Sequence, residues 1–280
     1  MQLEVKNVSK VFNNRGQART VLNRISFTIR EGQFVTLLGP SGCGKTTLLT
    51  IIAGFQKATE GAIELDGVAV TKPGPDRAFV FQDYALFPWM TVRQNILYPM
   101  KQQKLSRAEQ GERLKKLLSM AHLEAHEHLY PNQISGGMKQ RTAVIRALAC
   151  NPRVLLMDEP LGAVDYQMRQ MLQEELEAIW LKDRTTVLMV THDIEEAIYL
   201  SDRVILMSFQ EGKILEDMKI KLDRPRERRG QRYHEYKDHL TDLLKSSHRG
   251  PAGDRGPGGK LLVLPGLPEE TASVISNRAK

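Results

Sequence analysis

The chain has only 2 cysteines in 280 residues, too few for a disulfide framework. One of them, Cys43, sits inside a glycine-rich loop, so both are expected to be reduced thiols. There is no uninterrupted apolar run approaching the roughly 18–20 residues that cross a bilayer. The N-terminal residues Met1-Gln2-Leu3-Glu4-Val5-Lys6 carry no apolar signal core either. These absences predict a cytosolic chain that reaches a membrane only when a partner holds it there. At 41% hydrophobic and 26% charged the composition is globular, and the length suits one large domain or two small ones. The net charge of +7 is unevenly spread, because residues 224–280 hold 12 Lys/Arg against 7 Asp/Glu and so carry +5 of it. The remainder is nearly neutral and contains no nucleic-acid-reading motif, which argues against nucleic acid as a partner. His122, His126 and His128 cluster without the acid or cysteine spacing that would complete a metal site.

What the chain does contain is Gly39-Pro40-Ser41-Gly42-Cys43-Gly44-Lys45-Thr46-Thr47, a G-x-x-x-x-G-K-[ST] phosphate loop. It follows Phe34–Leu38, a short apolar run that reads as a buried parallel strand, and precedes Leu48–Ala53, which reads as the first turns of a helix. In that setting the loop N–H groups and the positive end of the helix dipole converge on a polyphosphate. Lys45 would neutralise β/γ-phosphates and the Thr46 hydroxyl would ligate Mg2+. The ligand is a nucleoside triphosphate.

The surrounding pattern is α/β. Leu3–Val5 and Ile25–Ile29 alternate as strands. Ala62–Leu65, Asp66-Gly67 and Val68–Val70 read as strand, two-residue turn and strand. Ala78–Phe81 is a further strand ending at Gln82. From about residue 91 the period becomes helical. Thr91 caps a helix into Val92–Leu97, Ser106-Arg107-Ala108-Glu109 is a capping box, and a third helix covers 138–149. The block 91–150 therefore reads as a helical insertion. Strands at Val154–Met157, Thr186–Val190 and Arg203–Met207 then alternate with helices at 166–181 and Ile194–Leu200, implying a parallel sheet with right-handed crossovers. Leu172, Leu176, Ile179 and Trp180 share one helical face, and Met168 and Met171 also read as packing residues. Past residue 222 the pattern fades into the polar charge run Arg224–Arg229, one amphipathic helix over Tyr233–Leu244, and a Gly/Pro-rich linker at 246–260. Leu261–Leu264 is a short apolar run with no assigned place.

Four more stretches narrow the class of triphosphatase. Ile134-Ser135-Gly136-Gly137-Met138-Lys139-Gln140-Arg141 resembles the signature motif of ATP-binding cassette (ABC) proteins. It lies just upstream of Leu155-Leu156-Met157-Asp158-Glu159-Pro160. Gly162-Ala163-Val164-Asp165 resembles the D-loop of that family, and Thr191-His192-Asp193 its switch histidine. The order and spacing resemble ABC ATPases across roughly residues 2–220. The resemblance implies a P-loop core with a parallel sheet, an N-terminal antiparallel β subdomain and an inserted α-helical subdomain. It implies an ATPase domain at 1–222 and a basic C-terminal extension at 223–280. Ile134, Val164 and Met138 are mild departures from the commonest family residues. No catalytic position is lost, so an active ATPase is expected.

Roles follow from the resemblance together with the chemistry of each residue. Asp158 ends an apolar strand where it can hold the Mg2+ shell, with Thr46 and Gln82 as the other metal contacts. Glu159 would orient and deprotonate the attacking water, with His192 and Gln82 completing the catalytic set. Phe12 stands where the family has an aromatic residue that stacks on adenine. Ser135, Gly136, Gly137 and Met138 open a helix with free N–H donors, a second anion site. One γ-phosphate does not need two such sites from one chain. The resemblance implies a head-to-tail pair of ATPase subunits, a homodimer or a pair of close paralogues. Each signature, with Asp165 nearby, then closes on ATP held by the other phosphate loop. Alkylation of Cys43 is expected to inhibit, with MgATP protecting.

The segment Asp83-Tyr84-Ala85-Leu86-Phe87-Pro88-Trp89-Met90 concentrates apolar and aromatic residues at a domain junction. By resemblance it lies in the groove that receives the coupling helix of a membrane permease, with Tyr84, Phe87 and Trp89 as contacts. Pro73–Arg77, Phe87–Val92 and Arg224-Pro225-Arg226 resemble the nitrate/sulfonate/taurine/bicarbonate importer branch. That branch implies a peripheral subunit on the cytoplasmic face of a bacterial inner membrane, with a periplasmic substrate-binding protein acting indirectly. An importer of another substrate, such as a thiamine precursor, is the alternative, followed by a non-transport ABC ATPase acting on nucleic acid.

Overall fold

In the computed structural model, residues 2–14, 17–162, 166–208 and 212–248 are described. Ala163, Val164 and Asp165 of the expected D-loop fall outside them, as do most of the 246–260 linker and Leu261–Leu264.

Strands β1 (Gln2–Asn14) and β2 (Gln17–Arg30) pair antiparallel, with Leu3 opposite Ile29 and Val5 opposite Phe27. The phosphate loop connects β3 (Phe34–Leu38) to helix α1 (Lys45–Ala53). Next, β4 (Glu60–Leu65) lies against the other edge of β1, and the chain turns through Asp66 and Gly67 into β5 (Val68–Ala69). Both turn residues have positive φ, 52° and 76°, as the tight hairpin requires. The result is an antiparallel sheet of order β2-β1-β4-β5.

The second sheet is built around β3. After β6 (Arg77–Val80) the chain leaves it for a block of helices: α2 (Val92–Gln102), α3 (Arg107–Met120) and α4 (Gly136–Leu148). Thr91 and Ser106 cap the first two, each in a full capping box with Gln94 or Glu109. The chain returns as β7 (Val154–Asp158), parallel to β6 and directly beside it. Helix α5 (Tyr166–Asp183), β8 (Thr186–Thr191), α6 (Ile194–Leu200) and β9 (Arg203–Met207) complete the alternation. The sheet order is β10-β9-β3-β8-β7-β6. Its edge, β10 (Ile214–Lys219), runs antiparallel to β9. The sequence offers no alternation here, because an exposed Leu215 and an inward-facing Glu216 break the apolar/polar period.

Both faces of the central strands are covered, which is why they read as continuous apolar runs. Val35, Leu37, Leu156, Leu188, Val190 and Ile205 pack toward α1 and the antiparallel sheet. Phe34, Leu38, Leu155, Met157, Val187 and Leu206 pack toward the helices. Trp180 is buried with its ring edge on Phe34, centroids 5.6 Å apart. Met171, expected to pack, is instead exposed at 57%; it sits on the outer face of α5.

The charge run at 224–229 is not a solvated stretch. Arg224, Arg226 and Arg228 turn inward, where Arg224 pairs with buried Glu177 and with Asp202 (2.9 Å) and lies 4.7 Å from the Trp180 ring centre. Arg226 donates to Ile198 O, and Arg228 stacks 3.7 Å over Tyr199. This arginine ladder carries the chain into α7 (Gln231–His248), which lies on α6 with the Tyr233 hydroxyl donating to Glu195 O at 3.0 Å.

Candidate active site

A cleft of about 540 Å3 opens beside the ends of β3 and β7, lined by Arg19, Val21, Ser41, Gly42, Gly44, Lys45, Thr46, Thr47, Gln82, Asp158 and Glu159. Its floor is the phosphate loop. Gly44 caps α1 in the left-handed region at φ 102°, and a Cβ there would come within 2.8 Å of Val21 O and Leu22 Cδ2. Only glycine fits. No side chain caps α1, so its first N–H groups lack a capping acceptor and can donate to an anion in the cleft. Lys45 is buried, and its Nζ donates to Gly39 O (2.8 Å) and Pro40 O (2.9 Å). Among the described residues no carboxylate pairs with it, so its charge is free to neutralise a phosphate. Gly39, Pro40 and Cys43 thus build the loop without lining the cleft.

Cys43 is 1% exposed, with Sγ 4.0 Å from Lys45 Nζ. Burial pushes its thiol up, with Lys45 only partly opposing. The expected sensitivity to alkylation is therefore not supported, since reagent access and thiolate are both suppressed.

At the opposite wall β7 delivers Asp158 and Glu159 in succession. Thr46 Oγ1 donates to Asp158 Oδ1 at 2.9 Å, joining two of the three expected metal contacts, and Gln82 lines the same cleft. Burial raises the Asp158 carboxyl and the Thr46 hydrogen bond partly offsets that. Hydroxyl, carboxylate and amide oxygens suit a hard divalent cation such as Mg2+. Glu159 has φ 42°, an uncommon conformation for a non-glycine residue, and its N–H donates to Val190 O at 2.9 Å. Strain of this kind, of order 1–3 kcal/mol, persists only where surrounding structure enforces it. Here it brings Glu159 Oε2 to 3.1 Å from Nδ1 of His192, which projects from the end of β8. A Cβ on Gly162 would lie 3.4 Å from Gln82 Nε2 and 3.6 Å from Glu159 Oε2, so these two side chains converge on one backbone. A carboxylate so held can accept a proton from water beside a phosphate.

Ser135, Gly136, Gly137 and Met138 lie elsewhere. None lines the cleft. Ser135 caps α4 by accepting from Met138 N at 3.3 Å, and Ser135 and Gly136 are exposed. Gly137 packs so closely that a Cβ would reach 2.9 Å from Leu172 Cδ2. The chain therefore presents a second exposed helix N-terminus away from its own phosphate loop. Asp165 lies outside the described residues. Phe12 is 40% exposed, has Lys10 Nζ 5.0 Å from its ring centre, and is not a lining residue. Its partner across the β1–β2 ladder, Arg19, is one. Arg19 and Val21 escape sequence reasoning because the visible alternation of β2 begins only at Ile25.

Trp89 is 69% exposed, its ring tilted against Phe87 with centroids 5.6 Å apart, and Phe87 meets Tyr98 edge-on at 4.9 Å. Tyr84 is half-buried against the helical core. Phe55, Phe79 and Phe81 form a second aromatic cluster next to Gln82. Tyr98, Phe55 and Phe81 are exposed additions to the surface read from 84–89.

Residues 22–162 match the family model described as ABC transporter. An uncharacterized ABC transporter ATP-binding protein of Methanocaldococcus jannaschii is 46% identical over 88% of this chain and 92% of its own length. The nitrate import ATP-binding protein of Synechocystis sp. is 42% identical, covering 88% of this chain and 96% of the relative. An aliphatic sulfonates import ATP-binding protein of Bacillus cereus is 44% identical over 84% and 92%. Among solved structures, a dimeric post-hydrolysis ATP-binding cassette bound to ADP and Pi superposes with TM-score 0.67 and 33% identity, over 78% of this chain and 99% of that one.

Proposed function

The chain belongs to the ABC transporter ATPase family, and from that premise we propose that it is the ATP-hydrolysing subunit of an importer for small anions of the nitrate, sulfonate or taurine type. The observation that carries ATP hydrolysis is one cleft containing a phosphate loop, a metal-suited oxygen set and a strained glutamate tied to a histidine, and the likeness to nitrate and sulfonate import subunits supports the rest.

In this reading Phe12 stacks on adenine, the loop N–H groups and Lys45 hold the phosphates, and Thr47 and Ser41 complete the cradle. Thr46, Asp158 and Gln82 would hold Mg2+, which supplies charge neutralisation at the β/γ-phosphate oxygens when bound. Glu159 takes a proton from the attacking water while His192 fixes its orientation, and Gln82 steadies that water. Residues 1–222 carry this chemistry, and 223–280 form an extension whose first part braces α6.

A second copy or a close paralogue supplies Ser135–Met138, with Asp165 at the same interface. The exposed N-terminus of α4 supports this, as does the dimeric cassette relative. Trp89, Phe87 and Tyr84 meet a membrane permease, and the exposed aromatic surface supports that placement. No helix among the described residues is long and apolar enough to cross a membrane. The chain then works as a peripheral subunit on the cytoplasmic face, and a periplasmic binding protein acts through the permease.

Co-expression with the permease subunits of its operon tests this. The chain should co-purify with them in detergent, and reconstituted vesicles should accumulate nitrate or a sulfonate only with ATP. Trp89→Ala should weaken uptake more than basal hydrolysis. ATP-driven uptake of neither anion would remove the substrate assignment while leaving the ATPase intact.

A further inference from the structure

Glu196, in the first turn of α6, plays no part in the reading above and is 2% exposed. Its Oε2 accepts from Thr191 Oγ1, and its Oε1 has no hydrogen-bond partner. Thr191 and Asp193 flank His192 in the chain. Asp193 N donates to Thr191 Oγ1 at 3.1 Å, and Glu196 N donates back to Asp193 Oδ1 at 3.1 Å. The cation that acts on it, Arg169 on α5, is paired with Asp193 Oδ2 at 2.7 Å. A fully buried carboxylate with one donor and no contacting cation is a costly arrangement, and a neutral carboxyl is not. We propose that Glu196 is held as the neutral acid and in that form positions His192 against Glu159.

The physical link runs through the loop. A proton on Glu196 Oε1 leaves Oε2 accepting from Thr191, whose Oγ1 keeps the Asp193 N–H, and this chain of bonds fixes the backbone on both sides of His192. An anion at Glu196 would draw Arg169 off Asp193 Oδ2 and so loosen the side chain whose Oδ1 caps α6. Burial is the main cause that pushes the Glu196 carboxyl up, to about 8. Asp193 and Glu159 raise it further, while the Thr191 hydrogen bond and Arg169 lower it. On the α7 side Lys237 is paired with Glu195, and the Tyr233 hydroxyl donates to Glu195 O. Neither contacts Glu196. Arg226 donates to Ile198 O, two residues further along α6.

The kcat readout rests on the ATPase reading, so a second readout is paired with it. With the full chain, kcat for MgATP should be flat near pH 7 and fall about tenfold by pH 9, because roughly a tenth of Glu196 then remains neutral. ATP affinity should not follow that limb. Glu196→Gln, a neutral isostere, should keep the plateau within about twofold and lose the limb. Thr191→Val should lower kcat at all pH values. In parallel, the His192 imidazole NMR shift should move with a midpoint near pH 8 in the native chain and lose that step in the Gln variant. A difference-infrared band of a protonated carboxyl should vanish over the same range. A limb retained in E196Q, an unmoved His192 signal, or no protonated carboxyl at neutral pH overturns the proposal. If the chain hydrolyses no ATP at any pH, the ATPase reading falls, and the His192 and infrared signals still decide this one.

Discussion

Glu159 Oε2 lies 3.1 Å from His192 Nδ1, and the Glu159 backbone holds a φ of 42° to place it there. The histidine follows β8 and the glutamate follows β7, neighbouring parallel strands whose register sets Asp158 opposite Val190. The two side chains are thus aimed by the sheet and not by a flexible loop.

Glu159→Gln keeps the shape and the contact with His192 but removes the proton acceptor. Turnover should fall by about 10²–10⁴, while ATP affinity stays near native because Lys45 and the loop are untouched. An ATP-bound dimer should accumulate, visible by sedimentation in the presence of MgATP. Turnover at the native rate would strip Glu159 of the base role.

Arg146 joins α4, which begins at the exposed Ser135-Gly136 turn, to the segment after Gln82. It donates to Tyr84 O at 3.0 Å and Ala85 O at 2.7 Å, and it lies 5.6 Å from the Phe87 ring centre. Both accepting residues are non-glycine at positive φ, 63° and 43°. Hydrogen bonds from a charged donor contribute about 1.5–3 kcal/mol each, enough to hold such a turn. Arg146→Ala should speed amide exchange over residues 83–90 at least tenfold and lower uptake per ATP hydrolysed, with ATP affinity unchanged. Lys should not rescue it, because one ammonium lacks the planar fork that reaches two carbonyls. Native exchange rates in the Ala variant would show that the turn holds itself.

Local signals explain why so much of this molecule is visible in its sequence. The Thr91 cap, the Ser106 capping box and the Asp66-Gly67 turn are written in contiguous residues, and each forms where expected. So are the phosphate loop and the Asp158-Glu159 pair. What escapes depends on distant partners. Arg19 enters the cleft only because β2 folds back along β1 opposite Phe12. The arginines at 224–228 look solvated until Glu177, Trp180 and Tyr199, all from earlier elements, turn out to receive them. Burial of Cys43 is equally invisible in its loop motif.

Arg224 tests that last group directly. Its guanidinium meets buried Glu177, Asp202 and Leu200 O, and it faces Trp180. Arg224→Ala would strand the Glu177 charge, which costs about 3–5 kcal/mol when a buried pair is broken from one side. The urea midpoint should drop accordingly. Adding Glu177→Leu to an Arg224→Met background should recover most of the loss, because the desolvated charge is then gone. A single variant as stable as the native chain would mean the pair is held in water and not in the core.

Glu196 makes a separate demand on stability. Its carboxyl titrates ordinarily near 4.5 and in the folded chain at about 8. Between those values the native state keeps a proton that the unfolded state has released, so stability falls with rising pH, by about 1.4 kcal/mol per unit for one proton. The contribution is complete below 4.5 and lost once pH rises through 8. Glu196→Gln has no proton to release and should lack this slope. Urea midpoints from pH 5 to 8.5 should therefore diverge steadily in favour of the Gln variant. Parallel curves would place a charged carboxylate at Glu196 at neutral pH, and with it an arginine that has moved off Asp193.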